Sequence, residues 1–196
     1  MIRKFFFSLF LLNTFTLASQ TSFGFKTGLN YDSMGDYTPE NISITNITSQ
    51  SKAGFHFGFF MDLDLILLYL RPELIYSKNL CSYNDVLIKL TKIELPIMLG
   101  YKVIGPISVF AGPSFQNFIK YESDNISLGK IKEKQTVSFQ MGSRINIKNF
   151  GVSIRYERGF TDNEINIING NKTLGHIHIR PKQFIFSFSY KRNFNN

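Results

Sequence analysis

Five stretches of this chain alternate bulky apolar residues with small, polar or charged ones over eight or more positions. A period of two has one local solution, a β-strand with two chemically different faces. In residues 54–62, Phe55, Phe57, Phe59 and Met61 oppose Gly54, His56, Gly58 and Asp62, with Phe60 out of step. In residues 92–102, Ile93, Leu95, Ile97, Leu99 and Tyr101 oppose Lys92, Glu94, Pro96, Met98 and Gly100. Val137, Phe139, Met141, Ile145 and Ile147 oppose Thr136, Ser138, Gln140, Gly142, Arg144 and Asn146 in the same way. So do Phe150, Val152, Ile154 and Tyr156 against Gly151, Ser153, Arg155 and Glu157, and Phe184, Phe186, Phe188 and Tyr190 against Ile185, Ser187, Ser189 and Lys191.

Residues 22–31, 66–76 and 107–120 are less regular but also fit as strands, which brings the expected number to eight. The connections alternate in length. Tight turns are expected at 63–65, 104–106 and 148–149, and long polar loops at 32–52, 77–91, 121–135 and 162–181. This predicts an all-β fold, an eight-stranded antiparallel up-and-down barrel.

Periodicity alone does not say which face points inward. A soluble barrel of the lipocalin kind buries the Phe-rich face around a ligand, whereas a transmembrane β-barrel turns that face to lipid. The N-terminus favours the membrane version. Arg3 and Lys4 precede an apolar run at 5–17, and small residues at Thr16 and Ala18 follow the spacing a signal peptidase accepts. Residues 1–18 are therefore expected to be a signal peptide and residues 19–196 the barrel. Beyond that segment no run of about 18 uncharged apolar residues occurs, since 63–70 contains Asp64, so spanning helices are not expected. Aromatic residues at strand ends (Tyr31, Tyr76, Tyr101, Phe150, Tyr190 and Phe194) sit where interfacial girdles are found. Register agrees: a one-residue slip would put Arg144 and Arg155 into lipid, at about 2–4 kcal/mol each near the midplane.

A single cysteine, Cys81, forbids any internal disulfide. The net charge of +8 loses two units with Arg3 and Lys4, and the remaining basic residues are scattered among acids. With export, this argues against nucleic acid as a partner.

On the polar face, Glu73, Glu94, Arg144, Arg155 and Glu157 are candidates for a lumenal charge network. An eight-stranded barrel closes around side chains, so a packed set of ion pairs is the expectation over a proton or ion path. His176 and His178 share a strand face and with His56 raise the question of a metal, but no carboxylate or cysteine completes a site at a recognisable spacing. No metal, no cofactor and no catalytic set of Ser, His and carboxylate is expected, hence no enzyme. Within the last long connection, Ile165 and Ile167 precede Asn169, Gly170 and Asn171, and Leu174, Ile177 and Ile179 follow. This predicts an extended hairpin rather than a coil, with an exposed edge for a partner strand.

The segments FGFKTGLNY (23–31), PELIYSK (72–78), IELPIMLGYK (93–102), FAGPSF (110–115), GVSIRYERGFTDN (151–163) and FIFSFSYKRNF (184–194) together resemble the PorT-like outer-membrane β-barrel proteins. These are also described as a porin-family outer membrane protein beta-barrel domain. The resemblance runs in order through nearly all of residues 19–196, apart from 41–52, 164–179 and the terminal Asn195 and Asn196. It implies the barrel and a bacterial outer-membrane location, with the last strand read by the insertion machinery. It brings no catalytic motif, and some relatives are linked to secretion and gliding machinery. The expected role is a monomeric scaffold or interaction barrel acting through its extracellular loops, as an accessory of a secretion or envelope complex. Its partners would be outer-membrane lipid, lipopolysaccharide and envelope or secretion-machinery proteins. The alternative is a narrow passive porin-like channel for small solutes or ions.

Overall fold

The computed structural model describes residues 20–32, 37–38, 49–51, 53–83, 86–123, 127–128, 135–160, 163–169, 172–179 and 182–193; side chains are described at 21–31, 53–80, 89–120, 135–160 and 182–192. The expected signal segment, Phe194 and most of the loop at 32–52 lie outside these residues. Among the described residues thirteen strands follow one another: β1 (Gln20–Asp32), β2 (Tyr37–Thr38), β3 (Ser49–Ser51), β4 (Ala53–Leu65), β5 (Leu68–Tyr83), β6 (Val86–Ile104), β7 (Ile107–Ser123), β8 (Ser127–Leu128), β9 (Gln135–Ile147), β10 (Phe150–Gly159), β11 (Asn163–Asn169), β12 (Lys172–Ile179) and β13 (Lys182–Asn193).

Eight of them, β1, β4, β5, β6, β7, β9, β10 and β13, pair antiparallel in that order. The first and last then meet along a register from Ser22↔Asn193 to Asp32↔Gln183, which closes the sheet into a barrel. Closure leaves no open edge, the condition for crossing hydrocarbon with strands. Among the described residues no helix is long and apolar enough to cross a membrane.

Two connections differ from the pattern. The turn expected at 63–65 is strand, with Leu63, Leu65 and Asp64 paired to Leu70, Leu68 and Tyr69 and the chain reversing at Ile66 and Leu67. Apolar residues occupy both parities there, so alternation carries no turn signal; the adopted register sets Asp62 beside Arg71. The loop expected at 77–91 is mostly a continued hairpin, because β5 runs to Tyr83 and β6 starts at Val86. The polar residues that resemble a loop, Ser77 and Asn79, are lumenal positions of a strand. In the last long connection β11 and β12 do pair as a hairpin, but its outer edges are met by short strands, β8 on one side and β2 on the other.

The short turns at 66–67, 105–106 and 148–149 each open with a residue at positive φ: Ile66 at 55°, Gly105 at 51° and Lys148 at 54°. That sign matches the twist of a two-residue hairpin. By the rule for outer-membrane barrels these turns face the periplasm.

Burial is inside-out. Phe23, Phe25, Phe55, Phe57, Phe59, Phe184, Phe186 and Phe188 are exposed, while Lys26, Glu73, Arg144, Arg155 and Glu157 are buried. Outward rings cover one another between strands, as Phe23 does with Phe59 at 5.9 Å and Tyr156 with Phe184 at 5.3 Å. Phe60, out of step by composition, is in step by position, pointing into the lumen with Met98 and Phe110. Glycine makes this possible. A Cβ at Gly100 would strike the ring and hydroxyl of Tyr69, its register partner, and one at Gly24 would strike the ring of Phe60. The large side chains lie flat across the lumen over the glycine opposite.

Gly100→Val should therefore destabilise the barrel by about 1–3 kcal/mol, read from urea unfolding in detergent. Combining it with Tyr69→Ala should cost less than the sum of the two changes, since the collision is then removed. Ile66→Gly should raise stability by about 1 kcal/mol, because a β-branched residue no longer occupies the left-handed region. Heat-modifiable gel mobility reports the folded fraction in each case.

Candidate functional site

The chemistry of this molecule is in its lumen, where inward positions of all eight barrel strands converge in three tiers. Nearest the short turns, Asp62 of β4 accepts both Nε and Nη2 of Arg71 of β5, the latter at 2.5 Å. Arg144 of β9 lies 4.0 Å away and Lys191 of β13 3.9 Å away. Arg144 donates to the Tyr69 hydroxyl. At the rim Lys102 meets Asp64 at 3.1 Å.

The middle tier crosses the lumen with Phe60, Tyr69, Met98 and Phe110. Guanidinium groups stack on these rings: Arg71 on Phe60 at 3.9 Å, Arg144 on Tyr69 at 4.7 Å and Arg155 on Phe110 at 5.1 Å. Stacked so, an arginine is desolvated on its faces and keeps its edge for acceptors. Arg155 uses that edge on Glu73, with Nη1 to Oε2 at 3.0 Å and Nη2 to Oε1 at 3.1 Å, and Lys26 approaches the same carboxylate at 3.0 Å.

In the upper tier Lys92 lies between two carboxylates, 3.4 Å from Glu94 and 3.8 Å from Glu157. Ser77 donates to Glu94. Glu157 collects three glutamine amides: Gln116 at Oε1, and Gln140 and Gln183 each at 2.8 Å from Oε2. Each glutamine in turn accepts at its carbonyl, from Lys92 at 3.2 Å, Arg155 at 3.0 Å and Asn79 at 3.0 Å respectively. Asn30 donates to Asn79 at 2.9 Å, and its carbonyl meets His56 Nδ1 at 2.7 Å, while His56 Nε2 meets Ser187 at 3.0 Å. A neutral amide both donates and accepts, so Gln140 links Arg155 to Glu157, Gln116 adds a second link between Lys92 and Glu157, and Gln183 ties Glu157 to Asn79.

Of the residues singled out by pattern, Glu73 and Arg155 meet directly, and Glu157 joins Arg155 through Gln140. Glu94 does not reach Arg155 but shares Lys92 with Glu157, and Arg144 belongs to the separate tier around Asp62. Sequence reasoning missed Lys26, Asp62, Arg71 and Lys92 as members, although parity was available as a signal: each stands an even number of positions from an inward residue of its own strand. It also missed the glutamines and asparagines, which carry no charge to draw notice. His56 is held inside by Asn30 and Ser187, whereas His176 and His178 belong to β12, so the three are not on one element. Among the described residues no group of three or more His, Cys, Asp or Glu is placed to hold a metal ion. A groove of about 670 Å³ lies on the lipid-facing wall over the small residues Ala111 and Ser143.

Breaking the middle pair has a clear expected cost. Arg155→Leu leaves Glu73 with Lys26 as its remaining buried cation, and should destabilise the barrel by about 3–5 kcal/mol in urea. Adding Glu73→Gln should return part of that loss. An unchanged midpoint in Arg155→Leu would mean that solvent, not Glu73, satisfies the guanidinium.

Solved structures share this architecture. OprG from Pseudomonas aeruginosa is similar with a TM-score of 0.54 at 9% identity, over 87% of this chain and 95% of that one. The outer membrane protein AlkL is similar at 0.53 and 12% identity, over 88% and 92%, and Neisserial surface protein A at 0.51 and 13%, over 87% and 96%. At such identities the likeness is one of fold. By sequence, no curated protein matches the chain. A family model described as the outer membrane protein beta-barrel domain does match, over residues 17–164. The chain thus belongs to the outer membrane protein beta-barrel domain family, as a small eight-stranded barrel of the bacterial outer membrane.

Proposed function

We propose that this barrel is a non-conducting, non-catalytic scaffold that presents its extracellular connections to partners. The observation that carries the reading is the filled lumen. Phe60, Tyr69, Met98 and Phe110 lie across it, and the Glu157 network closes the space above them. An interior of eight strands has room for side chains or a small ligand, and wide aqueous channels need about sixteen strands. What remains to do the work is the outer end, where β2, β12, β11 and β8 form a second sheet from the long connections. Backbone pairing there is of the kind that accepts an added strand.

On this reading the protein is an envelope or secretion-machinery accessory, of the PorT-like type that the sequence resembles. It sits as a monomer in lipid and lipopolysaccharide, with residues 1–18 removed on export.

In a planar bilayer the purified protein should give no large, steady, weakly selective current steps; regular porin-like steps would favour the narrow channel instead. Deleting residues 164–179 should leave heat-modifiable mobility intact yet abolish partner capture by crosslinking in intact envelopes. A variant that captures the same partners as the parent protein refutes the role of the outer hairpin.

A further inference from the structure

We propose that the short-turn end of the lumen binds a small inorganic anion between the Arg144 edge and Lys191. The charges there do not balance. Among the described residues three cations, Arg71, Arg144 and Lys191, converge on a single carboxylate, Asp62. Arg71 takes both of its oxygens, and Asp64, the other carboxylate nearby, is engaged by Lys102 at 3.1 Å. Higher in the lumen the account closes. Lys26 and Arg155 share Glu73, while Lys92 is shared by Glu94 and Glu157, so an excess cation in one tier meets an excess anion in the next. The surplus of two positive charges is thus confined to the Asp62 tier.

Arginine cannot shed its proton to relieve such a surplus. Arg144 is 3% exposed, its faces are covered by Tyr69 and Phe110, and its hydrogen bond to a side chain runs from Nη2 to the Tyr69 hydroxyl. Its Nε and Nη1 are buried without a hydrogen-bond partner. The Ser22 hydroxyl, on the residue opposite Asp62 in register, is in the same condition. Orphaned donors on a stacked guanidinium, with a lysine approaching the same carboxylate, form the recognition chemistry of an anion. Lys191 is partly exposed, so the route in is from the periplasmic end.

Chloride is the probe. In a non-ionic detergent, the chloride NMR line should broaden on adding the folded barrel, saturably, and sodium phosphate should reverse the broadening. Arg144→Gln and Lys191→Met should each weaken the interaction about tenfold or more, the effect of losing one charge-assisted contact. Lys102→Met, whose cation is engaged at the rim, should leave it unchanged. Asp62→Asn should tighten it, because the competing carboxylate is gone, whereas a merely structural cluster would show no gain. Heat-modifiable mobility verifies folding in each case, and if Asp62→Asn does not fold, the partly exposed Lys191 decides. No saturable broadening in the parent protein, equal broadening in Lys191→Met, or equal losses in Lys191→Met and Lys102→Met would overturn the site.

Discussion

Hydrocarbon offers no hydrogen bonds, so every backbone N–H and C=O that crosses it needs a partner within the chain. For strands this condition is met only when the sheet closes, and here the closing seam joins β1 to β13, the first and last of the barrel strands. Among the described pairings the seam has the longest sequence separation, yet without it both edges would face lipid. Completion of the fold therefore waits on the contact that is entropically slowest to form. The other seven barrel pairings join neighbours in sequence, or neighbours apart from short intervening strands, and have no such delay.

Closure by eight strands then sets the chemistry of the interior. An interior closed by eight strands is of about side-chain width, and here long side chains cross it. Two devices let them. Gly24 and Gly100 provide floors on which Phe60 and Tyr69 lie down, and arginine stems and rings stack so that guanidinium edges still reach carboxylates. Around Glu157 the amides of Gln116, Gln140 and Gln183 extend the network to Lys92, Arg155 and Asn79.

Most of the barrel was legible from parity, because the outside is apolar and the inside polar along almost every strand. Legibility failed where parity is silent. At Leu63 to Leu70 both faces are apolar, and the turn shifted to Ile66 and Leu67. At Ser77 and Asn79 the inward residues are small and polar, as in a loop, and the strand as far as Tyr83 went unread. Of the site, membership was readable but pairing was not. Arg155 selects Glu73 over Glu94 through strand stagger and rotamer, neither of which is written in spacing. The lower tier around Asp62 was not foreseen as a unit, since its members come from β4, β5, β9 and β13, far apart in sequence.

A buried ion pair is a weak source of net stability, since desolvation consumes most of the Coulomb gain. Its stronger effect here is on register. If the lumen were as apolar as the wall, the two faces of a strand would be interchangeable, and a slip of one residue would cost little. With the charges present, a one-residue slip of β10 turns Arg155 and Glu157 to lipid and sends Val152, Ile154 and Tyr156 into a space already filled. The arginine alone then costs about 2–4 kcal/mol near the midplane. A domain has only about 5–15 kcal/mol of stability in total. A penalty of that size on each charged strand excludes the slipped barrel, so the lumenal charges are better understood as what selects one register among the closed sheets this chain could form.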